Sequence, residues 1–82
     1  MREQITNKII QIFKNMGYDV TPETNFKSDI ELGMINVGWL GDEIEYEFGI
    51  IISVADLKPI FKGTVNDMID WLMIKMLYKS ID

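Results

Sequence analysis

Cysteine and histidine are both absent from this 82-residue chain, and together the two absences remove much of the chemistry that side chains offer. Without cysteine there is no disulfide to staple a small fold and no thiolate to hold a metal. Without histidine the commonest general base and metal ligand are missing. Basic residues are missing over one long stretch: none lies between Lys27 and Lys58, whereas Asp29, Glu31, Asp42, Glu43, Glu45, Glu47 and Asp56 all do. That stretch projects a negative field toward basic partners. A formal net charge of -5 speaks against nucleic-acid binding, which relies on clustered Lys and Arg to displace counterions from phosphates. No apolar run approaches the roughly 18 to 20 residues that span a bilayer. The opening Met-Arg-Glu-Gln lacks the apolar core of a signal peptide. The expectation is a cytoplasmic protein with neither a nucleic-acid nor a membrane partner. No repeat, low-complexity run or proline and glycine cluster marks a second unit, so residues 1–82 read as one domain. Its 48% apolar content suffices for one modest core.

What is present is helical periodicity. Ile5, Ile9, Ile12, Phe13 and Met16 recur at helical spacing from about Glu3 to Met16, and Gly17 follows as a stop. Thr21-Pro22-Glu23 fits a single turn with proline at the first helical position, and Phe26 is placed to plug the core from the loop. A central helix is expected from Met34 or Ile35 to Phe48, with Gly49 as its left-handed closing residue. Ile50-Ile51-Ile52 has strand propensity but no pairing partner elsewhere in the chain, and reads as a buried connector. Ser53, with Asp56 three residues on, forms a capping box for a short helix that Pro59 and Gly63 interrupt. Thr64 then caps a last helix with the core stripe Val65, Ile69, Leu72 and Met76, and Lys75 and Lys79 near its end favour the helix dipole. All-α is the only consistent class: a four-helix bundle with three longer helices and one short crossing helix.

The central helix has two faces to bury. Advancing about 100° per residue puts Val37, Leu40, Gly41, Ile44 and Phe48 on the core side. On the opposite side Ile35, Trp39 and Tyr46 line up with Asp42 and Glu43 at spacings of three and four, so large apolar groups point where water should be. Gly38 and Gly41 weaken the helix by about 1 kcal/mol each relative to alanine, and serve either close packing against a neighbouring helix or a ligand cavity beneath.

The stretch around this helix resembles the acyl carrier protein family, which includes peptidyl and D-alanyl carrier domains. Members read roughly F-x-x-D-L-G-x-D-S-L, then an acidic helix ending E-E-x-F-x-I-x-I. Phe26, Asp29 and Ile30 match the beginning, and Glu45, Glu47, Phe48, Ile50 and Ile52 match the end with no gap between. Thr64 to Leu72 resembles the T-V-x-D-x-I-D-Y-L pattern of the family's final helix. The resemblance implies the fold, and it places the serine that carries 4'-phosphopantetheine at Met34, after Gly33. Methionine has no hydroxyl and forms no phosphodiester, so no cofactor is expected. A register shifted by two puts Asn36 there, again without a nucleophile. Ser28 stands in the wrong order relative to Asp29, and Ser53 is better explained as a cap.

Catalysis finds no support, because Asp42, Glu43, Glu45 and Glu47 crowd one helix without environments that split their pKa values. Nor do Asp42, Glu43 and Tyr46 have the loop geometry of a calcium site. Met34, Ile35, Trp39 and Tyr46, flanked by Asp42 and Glu43, have instead the composition of an interface centre and rim. The family docks its enzymes on this surface, which implies here a protein partner with a basic docking face. Three functions stay open at this point. One is a carrier-like interaction module without the attachment serine, linked to lipid, polyketide or peptide assembly. The second is a working acyl or aminoacyl carrier with 4'-phosphopantetheine on another residue. The third is a small structural subunit or homodimer that buries Trp39.

Overall fold

The computed structural model describes residues 1–57 and 60–81, and all their side chains except those of Met34, Val54, Ile60 and residues 78–81. Four α-helices follow in order: α1 (Arg2–Asn15), α2 (Met34–Phe48), α3 (Val54–Leu57) and α4 (Val65–Ile81), with a 3-10 turn at Ile60–Lys62. The all-α bundle of three longer helices and one short one is borne out. Pro59 and the side chains of Met34 and Lys79, each given a part above, lie outside the described residues.

The helix ends form where local chemistry puts them. Gly17, at φ 96°, turns the chain after α1, and its N–H donates to the Lys14 carbonyl at 3.0 Å. Gly49 closes α2 in the left-handed region at φ 64°, donating to the Glu45 carbonyl at 2.8 Å. Two capping boxes start α3 and α4. The Ser53 N–H donates to the Asp56 carboxylate at 3.1 Å while the Asp56 N–H donates to Ser53 Oγ at 3.2 Å. Thr64 and Asp67 repeat the exchange at 2.9 and 3.3 Å.

α1 packs on both α2 and α4, and α3 lies across α2. Ile5, Ile9, Ile12 and Phe13 enter one buried cluster with Val37, Leu40 and Ile44 from α2, and with Val65, Met68, Ile69 and Leu72 from α4. Phe26 does plug this core. Its ring stacks on Phe13 at 5.7 Å and meets Phe61 edge-on at 5.0 Å. The loop that delivers it is tied to the start of α4: Phe26 N–H donates to the Gly63 carbonyl, and Val65 N–H to the Thr24 carbonyl, both at 3.0 Å.

Two expectations need correction. The isoleucine connector is not uniformly buried: Ile50 and Ile52 point inward, whereas Ile51 is 87% exposed. An extended segment must send alternate side chains to opposite sides, and the Glu45 carboxylate holds this one by accepting the Ile52 N–H at 2.7 Å. The core stripes also differ at their margins: in α4 Met68 is fully buried while Met76 only packs against the edge of the core, and in α2 Phe48 does the same.

Candidate functional site on the outward face of the central helix

α2 is seated by its inward residues and by a polar latch at its first turn. Asn36 Nδ2 donates to the Tyr18 hydroxyl at 2.7 Å, and that hydroxyl donates in turn to the Glu31 carbonyl at 3.3 Å. The latch joins the end of α1, the long loop and the start of α2. With Val37, Leu40 and Ile44 buried, the geometry leaves the other face to water. Ile35 is 88% exposed, Trp39 47% and Tyr46 86%, and Asp42 and Glu43 are exposed between them. The Trp39 indole N–H donates to the Glu43 carboxylate at 3.3 Å, one turn on, which steadies the ring against its own helix.

The acids of α2 divide by occupation. Glu45 accepts the Ile52 N–H at 2.7 Å, and Glu47 pairs with Lys8 at 3.0 Å, so both serve the fold. Asp42 and Glu43 stand beside the aromatic groups with no ion pair among the described residues. Asp29, one of the family-matching residues, accepts the Asn25 N–H at 2.8 Å and holds the loop in shape.

The two glycines separate. A Cβ on Gly41 would sit 3.0 Å from Leu57 Cδ1, so this glycine lets α3 approach α2 closely. A Cβ on Gly38 would meet nothing within 4 Å. Gly38 lies three residues after Ile35 and next to Trp39, and it leaves a stretch of bare backbone beside the apolar groups. Sequence alone assigned it to packing or a cavity; the missing signal was the neighbour that only a fold can show to be absent.

Gly33 is the N-cap of α2 and Met34 its first residue, and neither has a hydroxyl. Asn36 is committed to the Tyr18 latch. Ser53 Oγ accepts the Asp56 N–H, and Ser28 Oγ lies 3.5 Å from the Asp29 carboxylate in the loop. Among the described residues, no helix is long and apolar enough to cross a membrane.

An all-α bundle with a long first loop, a central acidic helix and a short crossing helix is the architecture expected of a carrier domain. The sequence comparison agrees: the chain is 29% identical over 75 residues to an acyl carrier protein of Syntrophus aciditrophicus (strain SB), covering 92% of this chain and 91% of that one. The resemblance to the acyl carrier protein family is thereby borne out, and it extends along nearly the whole chain. No family model matches, and no solved structure matches.

Proposed function

We propose that this chain is an acyl-carrier-protein-like domain that does not carry phosphopantetheine at the family's serine position and acts as a protein-interaction module rather than an enzyme. Its partner docks on the outward face of α2, starting at Met34 and running through Ile35, Trp39, Asp42, Glu43 and Tyr46. The observation that supports this most is that Ile35, Trp39 and Tyr46 stand exposed along one helix face beside Asp42 and Glu43, which no cation among the described residues pairs with. The partner presents an apolar recess for Trp39 with Lys or Arg around it, matching the negative rim. The setting is cytoplasmic lipid, polyketide or peptide assembly, the processes that the family resemblance implies.

The decisive experiment is intact mass. After incubation with coenzyme A and a broad-specificity phosphopantetheinyl transferase, the mass of the protein stays unchanged, whereas Met34→Ser combined with Gly33→Asp gives a substrate that gains the adduct. An adduct on the unsubstituted chain would make it a working carrier and overturn the proposal.

A further inference from the structure

Where α1, α2 and α4 meet, Ile74 and Leu77 border a half-open apolar groove of about 520 Å³ that Ile5, Phe48 and Met73 also line. Apolar walls alone do not select an occupant. The outward row of α2 is more selective, because a charged group stands among its apolar ones. Ile35, Trp39, Asp42 and Tyr46 are all exposed and follow one another at steps of four, three and four. That is the spacing of a seam along which one helix meets another lengthwise. The row runs for about 16 Å at a rise of 1.5 Å per residue. A strand has nothing to pair with here, since the backbone groups of α2 are spent inside the helix.

Within this row Ile35, Gly38, Trp39 and Asp42 stand at i, i+3, i+4 and i+7, the four corners of the hole that one helix offers to a side chain of another. The corners differ in kind. A Cβ on Gly38 would meet nothing within 4 Å, so that corner is bare backbone and the hole is deep there. Ile35 and Trp39 supply apolar walls, and the indole N–H on the Glu43 carboxylate at 3.3 Å ties the Trp39 ring to its own helix. Asp42 closes the hole with a carboxylate that forms no ion pair among the described residues. A side chain that fits is long, apolar along its stem and cationic at its tip. Lysine and arginine answer to that, and arginine also stacks on an indole face.

We propose, on the basis of the docking at α2 set out above, that the partner segment is an α-helix lying lengthwise along Ile35, Trp39, Asp42 and Tyr46, and that one arginine of its seam enters this hole. The arginine stem crosses the bare backbone of Gly38 between Ile35 and Trp39, and its guanidinium reaches Asp42. Apolar residues at the neighbouring seam positions of the partner cover Trp39 and Tyr46. The single charge pair sets the register, because a slip by one heptad leaves both charges facing apolar groups. A second α2 cannot serve as that helix, since no basic residue lies between Lys27 and Lys58.

Two libraries of phage-displayed peptides, about as long as α2, test this. One has apolar residues at steps of three and four, and the other has the same composition with apolar residues at every second position. Selection on the immobilised full chain is expected to enrich the first library, with arginine or lysine at one seam position. Changing that residue to leucine in an enriched peptide weakens binding by about tenfold in titration calorimetry. On Asp42→Leu the same change brings no loss. Gly38→Leu fills the hole and weakens the unchanged peptide, with far-UV circular dichroism unaltered. Enrichment of the alternating library, by peptides that need Trp39, would overturn the helix and leave docking on α2 standing. An equal loss on Asp42→Leu would overturn the arginine site. No enrichment at all, or peptides that Trp39→Glu binds as well as the parent does, would overturn the inference together with the docking on α2.

Discussion

Replacing the two glycines of α2 by alanine separates their roles in one measurement. Each substitution gains about 0.8 to 1 kcal/mol of helix propensity, because alanine loses less backbone freedom on folding. At Gly38 the new methyl group meets nothing within 4 Å, so the whole gain survives and Gly38→Ala stabilises by about that amount. At Gly41 the methyl carbon sits 3.0 Å from Leu57 Cδ1, and Leu57 is itself fully buried. Leu57 must yield by a few tenths of an ångström inside a closed core. Pushing such a side chain off its rotamer costs about 0.5 to 1.5 kcal/mol, which cancels the gain and leaves Gly41→Ala close to neutral. Gly41→Leu drives further atoms into the same α2–α3 contact and destabilises by about 1 to 3 kcal/mol. Urea unfolding at a shared m-value reads all three, and a change in m would mark an effect on the denatured state instead. In a chain of this size, 1 kcal/mol moves Tm by about 4 to 8 °C, well above the error of a thermal scan. A stabilised Gly41→Leu would refute the close contact, and a Gly38→Ala that fails to stabilise would refute the claim that open space lies beside that residue.

Further outcomes are expected at the α2 face and at the α3 cap. Trp39→Ala costs less than about 1 kcal/mol in stability, since the ring is half exposed, but more than about 1 kcal/mol in partner affinity by titration calorimetry. Asp42→Lys with Glu43→Lys mainly slows association and flattens its salt dependence in stopped-flow kinetics, because rim charges steer encounter more than they hold the complex. Should Trp39→Ala unfold the domain and leave binding unchanged, Trp39 belongs to the core. The Ser53 N–H and hydroxyl, with Lys75 beside them, hold the Asp56 carboxyl below its ordinary value of 3.8. A depressed folded-state pKa stabilises above the unfolded value and is lost as pH falls through the folded one. The stability gap between the parent and Asp56→Ala is therefore constant from neutral pH to about pH 4 and closes below it, as thermal melts across that range record.

How far the fold could be read from sequence varied with the kind of signal. Amphipathic periodicity located the buried faces of α1 and α2, because three or four turns of helix repeat the pattern often enough to define its phase. Capping chemistry placed the starts of α3 and α4 to the residue, since Ser53 with Asp56 and Thr64 with Asp67 exchange bonds over three residues and need nothing distant. Three consecutive isoleucines carry no period, and the exposure of Ile51 depends on Glu45 reaching seven residues ahead to take the Ile52 N–H. Tyr18 and Asn36 are eighteen residues apart, so nothing local could announce their latch. The groove at the end of α4 was equally hidden, because Ile5, Phe48 and Met73 meet only after three helices have packed.

Apart from Ile51 in the connector, the large apolar residues left exposed fall on two faces, and their surroundings bear on what each can do. Along α2, Ile35, Trp39 and Tyr46 are accompanied by Asp42 and Glu43 in a stretch without a single Lys or Arg. Under the proposed function, hydrophobic burial there leaves negative charge to be met from outside, which suits a basic partner. At the α4 end, Arg2, Lys8 and Lys75 are already paired with Asp70, Glu47 and Asp56. Exposed pairs of this sort contribute little to stability one by one, and they leave the net charge of -5 unchanged. Gly38 fits the same division. Its missing side chain brings the monomer no packing and about 1 kcal/mol of lost helix propensity, and under the proposed docking the bare backbone beside Ile35 and Trp39 is where a partner's backbone comes close.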